Sequence, residues 1–134
     1  MSGSILKISE AASLALHSLI ILAQNPNKLI SVKEISNTLD VSANHLSKVL
    51  QRLSKYGLIS SIKGYNGGFE LVENPDKITF LYIYEIFDGK LSDSTCLLSA
   101  HKCKGECILG DLVSKVNKQV RDKFENTKLS DFIK

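Results

Sequence analysis

A mainly helical chain with one small β-hairpin is the fold class this sequence predicts, and three observations predict it. Apolar residues recur at three- and four-residue spacing over five separate stretches of the 134 residues. Between the third and fourth stretches, two short runs flank the glycine-rich segment Lys63-Gly64-Tyr65-Asn66-Gly67, which reads as a hairpin. Helix start and stop signals also stand where such an arrangement needs them. A helix, a tight turn, a second helix and a hairpin in that order make a winged helix-turn-helix, here followed by a long C-terminal helix.

Residues 8–24 form the first predicted helix, started near Ser9 and stopped by Asn25-Pro26-Asn27. Its apolar residues cover most of the circumference, which predicts burial on several sides, by a partner chain as well as by its own. Ser31-Val32-Lys33-Glu34 is a capping box, the serine hydroxyl accepting a first-turn amide and Glu34 reaching back to the cap. The short helix it opens buries Val32, Ile35 and Leu39. After the turn Asp40-Val41-Ser42, Ser42 caps a second helix that runs to Tyr56 and buries Leu46, Val49, Leu50 and Leu53. Its other face carries Asn44, His45, Ser47, Lys48, Gln51, Arg52 and Lys55, and Gly57 ends it as a left-handed cap. The helix-turn-helix therefore spans residues 31–56.

Strands at 58–62 and 68–72 make the hairpin, a wing over residues 58–72. Its glycines Gly64, Gly67 and Gly68, with Asn66, are expected to supply positive φ angles. Pro75 and Thr79 lead into a helix over residues 80–88, closed at Gly89. This completes a DNA-binding domain over residues 1–89. A cysteine-bearing loop covers 90–107. The last part, 108–134, holds a helix to about residue 126 with Leu109, Leu112, Val113, Val116, Val120 and Phe124 in register. A final turn is expected to bury Leu129, Phe132 and Ile133.

Net charge is only +3, but its distribution is uneven. Between Lys28 and Glu70 six basic side chains face three acidic ones, so the excess lies in the helix-turn-helix and wing while the remainder balances. The longest apolar run, Leu14 to Ala23, is broken by His17 and Ser18 and is too short to span a bilayer. No signal-peptide pattern stands at the start, and the odd cysteine count argues against a disulfide framework. A cytoplasmic protein with no membrane partner is expected. Neither a Ser/His/Asp triad spacing, a P-loop, a dinucleotide fingerprint nor a C-x-x-C is present, so an enzyme is not expected.

The second helix of the pair has the width of a major groove and short polar side chains near its start. Ser42, Asn44, His45 and Ser47 can meet base edges or phosphates, and Lys48, Arg52 and Lys55 can add ionic contacts along the backbone. At the hairpin tip, Lys63, Tyr65 and Asn66 can reach an adjacent minor groove. Double-stranded DNA is the expected partner.

Cys96, Cys103 and Cys107 fall within twelve residues of one another, and no other cysteine exists in the chain. Grouped thiolates suit an iron–sulfur cluster or zinc, with histidine, carboxylate, a small thiol or water completing the site. Free thiols or a redox pair are the alternative. Zinc held by these three with His101 is conceivable, although the single residue between His101 and Cys103 is cramped for tetrahedral ligation.

The segments ALHSLIILAQ, SVKEISNTLDVSANHLSKVLQRLSKYGLISSIKGYNGGFEL and ITFLYIYEIFDG, with the cysteine loop and C-terminal helix behind them, resemble the Rrf-two (Rrf2) family of bacterial winged-helix regulators. The resemblance covers essentially the whole chain. It implies a homodimer whose long C-terminal dimerisation helices cross, binding a palindromic operator to control transcription. By position it puts Ser42, Asn44 and Ser47 on DNA and Lys63 in the minor groove. Position 47 is serine where the founding iron–sulfur regulator of the family has an acidic, base-reading residue. The resemblance further implies that Cys96, Cys103 and Cys107 hold an iron–sulfur cluster, 2Fe–2S or 4Fe–4S, whose loss or modification changes DNA affinity. Such a regulator senses redox state, nitric oxide or iron–sulfur status. Cofactor-free members of the family imply the alternative, control by thiol oxidation, a small molecule or a partner protein. The spacing here, C-x6-C-x3-C, departs from the more even pattern of well-known members, and Gly110 stands where one has a histidine. His17 is the candidate replacement ligand, because some relatives contribute a non-cysteine ligand from the first helix; Glu10 lies on the same helix.

Overall fold

Ser9 opens the first helix: its hydroxyl accepts the Ala12 amide at 3.1 Å, while its own amide donates to the Asp88 carboxylate at 3.0 Å. The structure, a computed structural model, describes residues 6–91, 108–109 and 111–133. Helix α1 (Glu10–Gln24) buries Ala12, Leu14, Ala15, Leu16, Leu19, Leu22 and Ala23. This is the multi-sided burial that its nearly continuous apolar surface demands, and the chain's own elements achieve most of it.

Helix α2 (Val32–Leu39) starts on Ser31, whose Oγ accepts the Glu34 amide at 3.1 Å. The reach-back of the capping box is made to the side chain: the Ser31 hydroxyl donates to the Glu34 carboxylate at 3.4 Å. Asp40 ends α2 in the left-handed region, φ 55°, a conformation that aspartate tolerates better than most residues. Ser42 then caps α3 (Ala43–Lys55), and Leu46, Val49, Leu50 and Leu53 sink together into the core. At its far end the Gly57 amide donates to Ser54 and the Leu58 amide to Leu53, at 3.0 and 3.2 Å. These two bonds form a Schellman motif, and Gly57 takes the φ of +79° that the motif needs.

Strands β1 (Ile59–Ile62) and β2 (Gly68–Leu71) pair antiparallel, with Ile59 opposite Leu71 and Ile62 opposite Gly68. Ile30, just ahead of α2, adds to the free edge of β2 through reciprocal backbone bonds with Phe69 at 2.9 and 2.8 Å. The wing is therefore stitched to the helix-turn-helix by main chain. Gly64 and Gly68 take the expected positive φ, +118° and +158°, whereas Gly67 and Asn66 do not. Gly67 is needed for space, since a Cβ there would lie 1.9 Å from the Ile62 carbonyl oxygen.

A 3-10 turn (Pro75–Lys77) capped by Asn74 leads to α4 (Phe80–Asp88), which Thr79 caps by accepting the Tyr82 amide at 3.1 Å. Helix α5 (Leu112–Asn126) begins four residues later than its apolar pattern suggests. Phe124 is its buried residue, meeting Tyr84 of α4 edge-on at 5.6 Å between ring centroids. A last 3-10 turn (Leu129–Phe132) returns to the core, where Leu129 is buried and its amide donates to the Ile78 carbonyl at 2.9 Å. The expectation that Phe132 and Ile133 are also buried does not hold. They stay 38% and 37% exposed, Phe132 only stacking on Phe80 at 5.5 Å. The turn is too short to carry more than one side chain inward.

Open space surrounds Gly57, so Gly57→Ala should cost about 1 kcal/mol from the left-handed backbone alone. Gly67→Ala meets main chain and should cost more; urea denaturation of both variants checks the order. The Tyr84 phenol is held above its ordinary 10.0 by burial and, less strongly, by the Asp88 carboxylate. The unfolded phenol therefore ionises first, and this contribution to stability, complete below about pH 10, falls as pH rises through the folded-state value. Tyr84→Phe should flatten that alkaline decline in a thermal-denaturation series.

Candidate nucleic-acid interface

Burial of one side of α3 leaves the opposite side in water. Asn44, Lys48 and Gln51 are exposed at spacings that keep them in one row, with His45 and Ser47 half-buried beside it. The Gln51 amide donates to the Ser47 hydroxyl at 3.4 Å along this row. Ser42 is held at the helix start by its bond from the His45 amide at 3.4 Å. No acidic residue stands in the first turn of α3, so its partial positive charge is available to a phosphate. The His45 ring lies 3.7 Å from the Glu10 carboxylate of α1, which ties the start of α3 to that helix when the imidazole is protonated.

Two open recesses border the row. Lys48, Gln51, Arg52, Lys55 and Tyr56 line the first, along the outer side of α3. The second runs between α3, the start of α2 and the wing, with Ser31, Gln51, Lys63 and Gly64 among its lining residues. At the wing tip Lys63 is exposed and Tyr65 fully so. Cations on either side of a polar row, with a projecting hairpin beside it, suit a duplex: charges toward phosphates, amides and hydroxyls toward base edges.

A family model described as an iron-dependent transcriptional regulator, Rrf2, matches residues 8–134. The chain belongs to the Rrf2 family. It is 36% identical over 129 residues to an Aquifex aeolicus protein named as an HTH-type transcriptional regulator, spanning 93% of this chain and 90% of that one. With the transcriptional regulator NsrR of Halalkalibacterium halodurans it shares 40% identity over 105 residues, 70% of each chain. Among solved structures, CymR, the global cysteine regulator of B. subtilis, superposes with a TM-score of 0.80 at 28% identity over 95% of both chains. This Rrf2 protein is accordingly a DNA-binding transcriptional regulator with a winged-helix fold. No helix among the described residues is long and apolar enough to cross a membrane.

The structure gathers Ser42, Asn44, His45, Ser47 and Lys48 on one stretch of α3, with Lys63 and Tyr65 on the wing beside it. Gln51 belongs with them, because it lines both recesses. Its place on the outer face is readable from the sequence, but its position facing the wing is not. Arg52 departs from the row: its Nη2 donates to the Ile86 carbonyl of α4 at 2.6 Å, and its guanidinium lies over the Phe87 ring, 5.3 Å from the centroid. His17 is exposed on α1, its Nδ1 donating to the Ser13 carbonyl at 2.7 Å. The neutral ring then keeps its lone pair on Nε2, as a metal-ligating histidine does. Cys96, Cys103 and Cys107, with His101, lie outside the described residues. Among those described, no group of three His, Cys, Asp or Glu is set to hold a metal ion.

Lys63→Ala should weaken binding to all duplexes alike and lower the slope of log affinity against log salt by about one per protomer. Asn44→Ala should relax choice at particular base pairs, by about 1–3 kcal/mol each. Gel-shift titrations on a selected operator and on scrambled duplexes, at several salt concentrations, separate the two effects.

Proposed function

We propose that this Rrf2 protein is a homodimeric regulator that reads a palindromic operator through paired α3 helices and wings. Through Cys96, Cys103 and Cys107 it adjusts that binding to redox state, nitric oxide or iron–sulfur status. The observation that carries the DNA part is the exposed polar and basic side of α3 beside a wing with Lys63 and Tyr65 in the open. Ser42, Asn44, His45, Ser47 and Lys48 meet the major groove and its phosphates, and Lys63 and Tyr65 meet the minor groove.

Dimerisation is supported by α5. Leu112 is 52% exposed and Val116 41%, one turn apart on the same helix, and Ile108 ahead of them is 92% exposed. An apolar row of this kind gains from burial against a second copy, roughly 25 cal/mol for each Å² removed from water. A twofold pair of α5 helices then sets the distance between the two α3 helices, which must match half-sites about one helical turn apart.

The cysteine part is supported by the donor set and by the family's iron-dependent description. Three thiolates are soft ligands suited to iron–sulfur clusters, and the exposed His17, held at Nδ1 by the Ser13 carbonyl, offers its Nε2. Cys96, Cys103, Cys107 and His17 would hold the cluster. When bound, it supplies a site that oxidants and nitric oxide modify. In this reading, engaging or freeing the thiolates biases the crossing of the α5 helices. A second reading, a cofactor-free thiol switch, is favoured by the likeness to the CymR of Staphylococcus aureus, whose structure is also known in an oxidized form.

Protein purified without air should be brown, contain iron and acid-labile sulfide, and lose the colour in Cys96→Ala. Colourless protein with no iron, whose DNA affinity nevertheless changes on thiol oxidation, would leave the second reading standing. A monomer by sedimentation would falsify the operator geometry.

A further inference from the structure

Arg52 stands on the recognition helix at a position where a phosphate contact is the simple expectation, yet the guanidinium of this exposed residue is bonded to another helix of its own chain. Ile86, which accepts its Nη2 at 2.6 Å, is one of the last four residues of α4. Carbonyls there have no partner further along their own helix, and the negative end of the helix dipole gathers on them. The guanidinium therefore caps α4 from α3, with its face laid over the Phe87 ring.

The same turn of α4 holds two other connections, the second of which leads on to α5. The Asp88 carboxylate accepts the Ser9 amide at the start of α1, at 3.0 Å. Glu85 Oε2 accepts the Leu91 amide at 3.3 Å, and the Leu91 carbonyl accepts Arg121 Nη2 of α5 at 2.9 Å. One helical turn thus meets α1, α3 and, through Leu91, α5. Leu91 is five residues ahead of Cys96.

We infer that Arg52 is a positioning residue for DNA binding: by capping α4 at Ile86 and Phe87 it fixes how α3 sits, and it makes operator affinity answer to the turn that leads into the cysteine segment. The link to the cysteines rests on the function proposed above; the capping role does not. An arginine is required because one planar group must both donate to a carbonyl and lie on a ring, which the point charge of lysine does not reproduce.

The test uses full-length protein and an operator selected by the wild type from a random duplex library. Arg52→Lys, Arg52→Gln, Phe87→Leu and the double variant Arg52→Lys/Phe87→Leu are titrated over a salt series, well below their thermal midpoints. Arg52→Lys and Phe87→Leu should each weaken binding roughly tenfold. The double variant should be no weaker than the worse single, and the salt slope should stay at the wild-type value in all of them. Wild-type affinity in Arg52→Lys, with a slope reduced by about one per protomer in Arg52→Gln, would make Arg52 a phosphate contact and overturn the inference. So would lowered thermal midpoints with unchanged affinity, which mark packing alone. Blocking the cysteines with iodoacetamide supplies a separate arm. The affinity change it causes in the wild type should be lost in Arg52→Lys, and if it persists there the link to the cysteines is overturned. If the wild type does not respond at all, the cysteine reading falls, while the Arg52–Phe87 coupling is judged by the titrations.

Discussion

Leu46, Leu50 and Leu53 of α3 lie at zero exposure in a core shared with Leu19 and Leu22 of α1, so α3 has no freedom to turn about its own axis. Each fully buried leucine contributes roughly 2 kcal/mol relative to exposure, and a shift of one residue would rotate the stripe by about 100°. The polar row of Asn44, Ser47, Lys48 and Gln51 faces out because these leucines face in. Recognition chemistry on this helix is thus a consequence of where its apolar atoms go, and the same burial holds the Ser42 cap and the Gly57 terminus at fixed ends of the row.

The wing depends on a second, main-chain constraint. A two-stranded hairpin is marginal in water by itself. Here Ile30 pairs with Phe69 and leaves no room beside Gly68, where a Cβ would meet the Ile30 backbone at 2.8 Å. The hairpin is carried as a third partner of the helix-turn-helix, and Lys63 and Tyr65 project from a base that is bonded to the residue preceding α2.

Helix α4 connects this reading head to the rest of the chain. Its N-terminal end is bonded to Thr127 through the Phe80 amide, and its C-terminal turn receives Arg52, Ser9 and the Leu91 connection. On α5 the apolar side chains of Leu112 and Val116 stay exposed, about two turns or more ahead of the Tyr84–Phe124 contact that holds the far end of the helix. A single chain thus completes its DNA-binding core while leaving part of its last helix in water.

The sequence by itself determined the order of elements, both helix caps of the helix-turn-helix, the buried stripe of α3 and hence its polar row. These are local matters, settled by periodicity and by the hydrogen-bonding reach of residues three or four apart. It also placed the three cysteines between the last two long helices, although their surroundings lie outside the described residues. Only the tertiary structure decided that Arg52 points into α4, that His45 stands beside Glu10, that Gln51 faces the wing and that Ile30 joins the sheet. Each joins groups far apart in the chain, so no spacing records it. The start of α5 and the exposure of Phe132 depart from the sequence expectation for a related reason: an apolar residue in helical register is buried only if another surface is there to cover it.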